Sequence, residues 1–271
     1  MRFRRIILLI LGLLSGSALS AQQLEIRFID VGQGDAVLIR KGPRAVLVDA
    51  GLPTAGVLAV LRELRVDTLD LFIASHNHGD HIGGAAALLR SLPVGEYIQN
   101  DAPLGTPNQL RVDSAILERA VPRVRAPRRV LLWGDVRLDI MPPPAGVDSA
   151  QNNHSMVVLV QRGRFRVLLT GDSEGSEIEA LMAQDSIPPV DLLKAPHHGG
   201  DPDPPVAEWL HRLHPGIVVA SVAAGNFTEA GRQAYGGPGR RIFSTDHDGD
   251  VIVSVDAGGG YTVQTGPHRA H

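Results

Sequence analysis

Four metal-ligand side chains fall within six residues: His76, His78, Asp80 and His81, in the run Ser-His-Asn-His-Gly-Asp-His-Ile-Gly-Gly at 75–84. Imidazole nitrogen and carboxylate oxygen suit zinc, with manganese or iron also accommodated. His76 and His78 form one pair, Asp80 and His81 another, which suits two adjacent cations better than one. Two such ions promote hydrolysis by acidifying a water to a pKa of about 7 and by clamping the attacking and leaving oxygens.

Further candidates lie downstream. Asp172 closes Leu169-Thr170-Gly171-Asp172, His197 and His198 precede Gly199-Gly200, and Asn152-Asn153-His154-Ser155 stands before an apolar run. Asp172 follows a predicted strand and has no competing acid beside it, as a bridging carboxylate requires; it would also serve as an N-cap. One of His197 and His198 completes the second site. Both on one cation is disfavoured, because neighbours on an extended chain point to opposite sides. His154 is taken as the remaining ligand of the first site, with Asn153 facing the metal and His154 turned outward as the alternative. Lys194 is one of two lysines in the chain. It holds a substrate phosphate or pairs with an acid, since a buried ammonium without a partner is costly.

The elements that must aim these groups are legible as periodicity. An apolar run at 69–74 reads as a buried strand ahead of the metal turn, and the Ala/Leu-rich 85–92 as a helix after it. Strands are expected at 24–30, 36–40, 45–49, 155–160, 165–170, 190–195, 217–221, 241–244 and 251–255, and helices at 55–65, 109–120 and 173–182. In the helix at 109–120, Leu110, Ile116 and Leu117 are expected to face inward. Arg123, Arg125, Arg128 and Arg129, broken by Pro122 and Pro127, read as a solvated loop in preference to a phosphate contact. The glycine-rich residues from Gly258 read as a polar tail. Strands followed by a helix, twice over, point to an α+β protein with two sheets face to face and helices outside.

The N-terminus reads as a secretory signal peptide over 1–21: Arg2, Arg4 and Arg5, an apolar run at 6–14, then small residues up to a cut between Ser20 and Gln22. The apolar run is too short for a good transmembrane helix. The expectation is an exported, periplasmic or secreted protein with no stable membrane insertion after cleavage, comprising a single domain over 22–271. The formal net charge is −3; loss of the three leader arginines takes it to −6. No strongly nucleic-acid-binding surface is marked by such a balance. The chain has no cysteine, which excludes disulfides, Cys-containing zinc sites and a Cys nucleophile.

The motifs resemble the metallo-β-lactamase superfamily, and as an ordered set they are similar to the hydrolase domain of ComEC-like competence proteins. The blocks are Asp-Val-Gly-Gln-Gly-Asp (30–35), Leu-Val-Asp-Ala-Gly (47–51), the His turn, Leu-Thr-Gly-Asp (169–172) and Leu-Lys-Ala-Pro-His-His-Gly (193–199). The resemblance implies a four-layer αββα sandwich holding two divalent metal ions, zinc or manganese. It implies that Asp172 bridges them, that His198 is the ligand while His197 supports it or meets the leaving group, and that the turn bearing Asp35 lies beside the metals. Asp80, His197 and Lys194 are the residues expected to take part in catalysis. The expected activity is hydrolysis of a phosphodiester or nucleic-acid substrate; hydrolysis of a lactone or β-lactam, or a non-catalytic role in DNA uptake, are the alternatives. The chain departs from the ComEC pattern at His78, where Asp is common, and lacks the Gly-His-Pro that follows the serine strand; His247 is the nearest substitute donor.

Overall fold

In the computed structural model, which describes residues 23–200 and 205–269, the chain forms two sheets packed face to face. The expected signal peptide at 1–21 lies outside the described residues. The first sheet takes β1 (Leu24–Phe28), β2 (Val37–Lys41), β3 (Arg44–Val48), β4 (Leu71–Ile73), β5 (Tyr97–Gln99) and β6 (Arg123–Arg125). The second takes β7 (Arg129–Trp133), β8 (Val136–Met141), β9 (Val157–Arg162), β10 (Phe165–Leu169), β11 (Leu192–Lys194), β12 (Ile217–Ala220) and β13 (Arg241–Ser244). The chain then returns to the first sheet with β14 (Val251–Val255) and β15 (Tyr261–Thr265). The strand orders are 15-14-1-2-3-4-5-6 and 13-12-11-10-9-8-7.

Side-chain alternation explains the layering. On β3, Val46 and Val48 join the cluster between the sheets, whereas Ala45 and Leu47 face the other way, toward the helices. On β10, Phe165, Val167 and Leu169 face the inter-sheet core and Leu168 the opposite layer. Because the period is two, each such strand feeds two cores at once. Helices α1 (Val57–Glu63), α2 (Gly79–Ile82), α3 (Ala85–Ser91) and α4 (Pro107–Arg119) cover the first sheet; α5 (Gly175–Ala183) and α6 (Pro205–Leu213) cover the second, joined by the short α7 (Glu229–Tyr235). The result is the expected four-layer αββα sandwich.

Three expectations need correction. In α4 the buried face is Gln109, Val112, Ala115 and Ile116, while Leu110 and Leu117 are 61% and 77% exposed. The helix starts at a Thr106 cap with Pro107 in its first turn, and Gln109 turns back to accept from the backbone of Leu104 and Gly105. Gln109 thus occupies an inward position that apolar counting assigns to a leucine. The arginine stretch is mostly strand, with Arg123 and Arg125 in β6 and Arg129 opening β7, and only Arg128 in the connection between them; Arg123 is paired to Asp113, Arg129 to Glu96 and Arg128 to Asp139. The tail beyond Gly258 forms β15, hydrogen-bonded along β14.

Candidate metal centre

The candidate donors collect at one end of the sandwich, beyond the carboxyl ends of parallel strands. In the first sheet β3 and β4 run parallel, and β4 delivers the turn that begins at Ser75. In the second, β10, β11 and β12 are parallel and deliver Asp172, the 196–199 turn and Ser221. Two glycines let these segments touch. A Cβ on Gly34 would lie 2.0 Å from the Asp80 carbonyl oxygen, and one on Gly171 would lie 2.7 Å from the Ser75 Cβ, both at positive φ. Glycine at 34 is therefore what allows the 30–35 loop to lie on the metal turn, where Asp35 N donates to Asp80 O.

Asp172 sits at the middle. Its Oδ2 is 3.1 Å from His81 Nε2, 3.2 Å from His198 Nε2 and 3.9 Å from His76 Nε2. His76 Nε2 faces His78 Nδ1 at 3.0 Å, and Asp80 Oδ2 is 3.2 Å from His198 Nε2. Ligands held at about 2.0–2.2 Å around one small cation stand roughly 3–3.5 Å apart, so these separations suit donors sharing cations. Asp35, His81, Asp172 and His198 all offer ligand atoms within 4.8 Å of one another. His81 Nε2, His198 Nε2, Asp172 Oδ1 and Asp35 Oδ1 are buried without hydrogen-bond partners. Buried polar atoms in such a state call for a ligand. Charge agrees: Asp35, Asp49, Asp80 and Asp172 crowd together against the single ammonium of Lys194. The residues fit divalent cations.

The imidazoles are oriented from behind. His81 Nδ1 is 2.9 Å from Asp49 Oδ2, His198 Nδ1 donates to the Ser221 carbonyl at 2.9 Å, and His76 Nδ1 meets Ser75 Oγ at 3.1 Å. In each the partner on Nδ1 leaves Nε2 for the centre, as in metal-binding histidines generally. Asp49 is itself held by the Ser75 N–H and hydroxyl, each at 2.7 Å. The rings differ in how they hold a proton: burial, with His81 beside it, keeps His76 well below its ordinary value, whereas His81 and His198 are shifted up. Burial opposes the charged form of His81, but Asp172 and Asp49 outweigh it and push the pKa up to about 10. For His198, Asp172 likewise overcomes burial and raises it well above its ordinary value. A cation entering the pocket takes the place of such protons.

Of the sequence candidates, His76, His78, Asp80, His81, Asp172 and His198 are brought together, and Asp35 joins them. His154 is not: its Nε2 lies 3.1 Å from the Asp148 carbonyl, on the far side of the 3₁₀ turn Gln151–His154. Asn153, the alternative, is engaged elsewhere, since its Oδ1 accepts from the backbone N–H of Glu174 and Glu177 at the start of α5. The two fail for different reasons: Asn153 is spent on the start of α5, and the His154 ring is turned to the Asp148 carbonyl. His197 stands on the rim, its ring half-exposed and paired with Glu174 at 2.9 Å. The backbone of His197 and His198 is left-handed, with φ of 46° and 59°, rather than extended, and this conformation sends one ring out and the other in.

Lys194 takes the acid-pairing alternative. It is 1% exposed, with Nζ 2.5 Å from Asp35 Oδ2, 3.6 Å from Asp172 Oδ1 and donating to the Gly171 carbonyl at 2.8 Å. Enclosed in this way it positions carboxylates and cannot meet a substrate phosphate. Burial opposes the ionisation of Asp35, yet Lys194 holds its pKa below the ordinary value. His247 is exposed and paired with Asp248, away from the cluster. Asp49, Ser75 and Ser221 escaped notice as supports, although an acid ending an apolar strand, as Asp49 does, is a usable signal.

A family model described as the metallo-beta-lactamase superfamily matches residues 29–221. Recombination protein 2 of Haemophilus influenzae is 31% identical over 223 residues, covering 80% of this chain and 26% of that protein. ComE operon protein 3 of Bacillus subtilis is 26% identical over 223 residues, covering 74% of this chain and 29% of that protein. The chain thus spans about a quarter to a third of the length of these relatives. Among solved structures, the metallo-beta-lactamase fold protein YhfI from Bacillus subtilis superposes with a TM-score of 0.57 at 12% identity, over 89% of this chain and 99% of that one; the likeness is one of fold. The donor cluster, the sandwich and the match over 29–221 lead to one assignment: the chain belongs to the metallo-beta-lactamase superfamily.

Proposed function

We propose that this chain is an exported, binuclear metal-dependent hydrolase of phosphodiester bonds. The observation that carries the reading is the set of convergent donors whose other ring nitrogens are already committed: His81 to Asp49, His198 to the Ser221 carbonyl, His76 to Ser75. Divalent cations, zinc or manganese, would supply Lewis-acid activation of a water and of a phosphoryl oxygen there. In this reading His76 and His78 would hold one ion and Asp80, His81 and His198 the other, with Asp172 available to both. Asp80, a quarter exposed where the other cluster carboxylates are buried, takes the proton of the attacking water. His197, on the rim with Glu174, meets the leaving group.

The phosphodiester is favoured over a carbonyl substrate by the name of one relative, Recombination protein 2. Export is supported by the basic and apolar order of residues 1–21. Among the described residues no helix is long and apolar enough to cross a membrane.

The test is a panel of bis(p-nitrophenyl) phosphate, nitrocefin and an acyl lactone offered to zinc- or manganese-loaded protein. Hydrolysis of the phosphate ester, abolished by chelation and by Asp80→Ala in folded protein, is the expected result. Turnover of nitrocefin or the lactone alone would overturn the phosphodiester assignment. Loaded protein inert to all three, and unchanged in function by Asp80→Ala, would indicate a binding module.

A further inference from the structure

We propose that Arg269, in the segment following β15, is a positioning residue for the metal centre: it locks the 30–35 loop that carries Asp35. The inference rests on the metal-centre reading above. Asp250, fully buried ahead of β14, receives a two-pronged contact from Arg269, Nη2 to Oδ2 at 2.7 Å and Nε to Oδ1 at 2.9 Å, with Arg27 Nη1 on Oδ2 at 2.9 Å. The same Oδ1 accepts the backbone N–H of Asp30 at 2.9 Å. Arg269 also donates its own backbone N–H to Asp30 Oδ2 at 3.1 Å, while Asp30 Oδ1 accepts from Gly32 N at 3.3 Å. The segment is held in place by Gly266 N donating to the Asp250 carbonyl at 2.7 Å, and Arg269 Nη1 reaches Glu63 at the end of α1 at 3.1 Å.

The loop is therefore tied at both ends. At Asp30 it is tied to Asp250 and Arg269; at Asp35 it is tied to the Asp80 carbonyl and to Lys194. Between them Gly32 and Gly34 both have positive φ, and the side chains that pin the intervening backbone are Val31, buried in the core, and Gln33, which accepts from Asn226. Arg27, shared with Glu25, already brings one guanidinium to Asp250. What the second guanidinium adds is direction: a planar fork fixes the carboxylate plane, and with it the oxygen that holds Asp30. A displaced Asp30 propagates along five residues to Asp35, one of the four cluster donors.

The experiment compares the full chain with Arg269→Ala, Arg269→Lys and a control, Arg162→Ala. Arg162 is more deeply buried than Arg269 and bonds Asp135 and the Val255 carbonyl at the opposite end of the sandwich. Zinc affinity is measured by competition titration after chelation, and the Tm of the metal-free proteins by calorimetry. Arg269→Ala should weaken zinc by about tenfold, the low end of the loss seen when a support of metal ligands is removed. Arg269→Lys should recover part of it, and Arg162→Ala should lower the Tm without changing zinc affinity. Should Arg269→Ala fail to fold, the same contrast between Arg269→Lys and Arg162→Ala decides. Unchanged zinc affinity in the Arg269 variants, or zinc loss in proportion to Tm across all variants, would overturn the inference. A parent protein that takes up no zinc would overturn the metal-centre reading itself.

Discussion

His81 shows how a single residue is made into a ligand. Its Nε2 faces Asp172 because its Nδ1 is held by Asp49, which Ser75 grips in turn. Asp49→Ala frees the ring, and metal affinity should fall by about 10- to 100-fold in a competition titration. Glu177, which accepts from Ser155 behind Asp172, has a different cost. Burial pushes its carboxyl up to about 8, against an ordinary 4.5. The folded chain then keeps a proton that the unfolded chain releases between those values, so this residue weakens folding as pH rises through that window. Glu177→Gln should match the parent near pH 5 and be more stable above pH 8, by on the order of 1–3 kcal/mol, read from Tm against pH. What the sequence made legible at this scale were donors adjacent in the chain. His76, His78, Asp80 and His81 share one turn, so their spacing carries the signal. Asp49 and Ser221 support ligands from other strands, and the His154 ring turns to the Asp148 carbonyl; only for Asp49, an acid ending an apolar strand, is there a local signal.

At the scale of elements, the strands with alternating or wholly apolar runs were legible, because side-chain period and burial coincide in β1, β3 and β10. β15 was not: its residues are mostly exposed, so backbone pairing with β14, not burial, makes it a strand. Apolar counting misses the register of α4 because its inward face uses small Ala115 and hydrogen-bonded Gln109 instead of the larger leucines. The two registers differ in what mutation does. Leu117→Gln should change stability by less than about 0.5 kcal/mol, and Ile116→Ala should cost about 2–4 kcal/mol. Urea denaturation of the two variants distinguishes them.

For the whole molecule, charge decides what the site meets. The chain carries a formal −3, and three arginines of its one basic stretch are matched by Asp113, Glu96 and Asp139. DNA affinity comes largely from unpaired cations displacing counterions along the phosphates. Long DNA should therefore bind weakly and with strong salt sensitivity, while small phosphodiesters are turned over relatively well. Should the arginine stretch line the site despite this pairing, Arg125→Ala combined with Arg128→Ala would weaken DNA binding and flatten its salt slope while leaving small-substrate turnover unchanged; otherwise the double variant should leave both as they are.

The central claim, a protein cage for two cations, is most directly tested by counting them. Elemental analysis of folded protein, never exposed to chelator, should find about two equivalents of zinc or manganese per chain, as a bimetallic hydrolase requires. Asp172→Ala, which removes the carboxylate common to His76, His81 and His198, should lower that number. One equivalent or none in the parent protein would contradict the account.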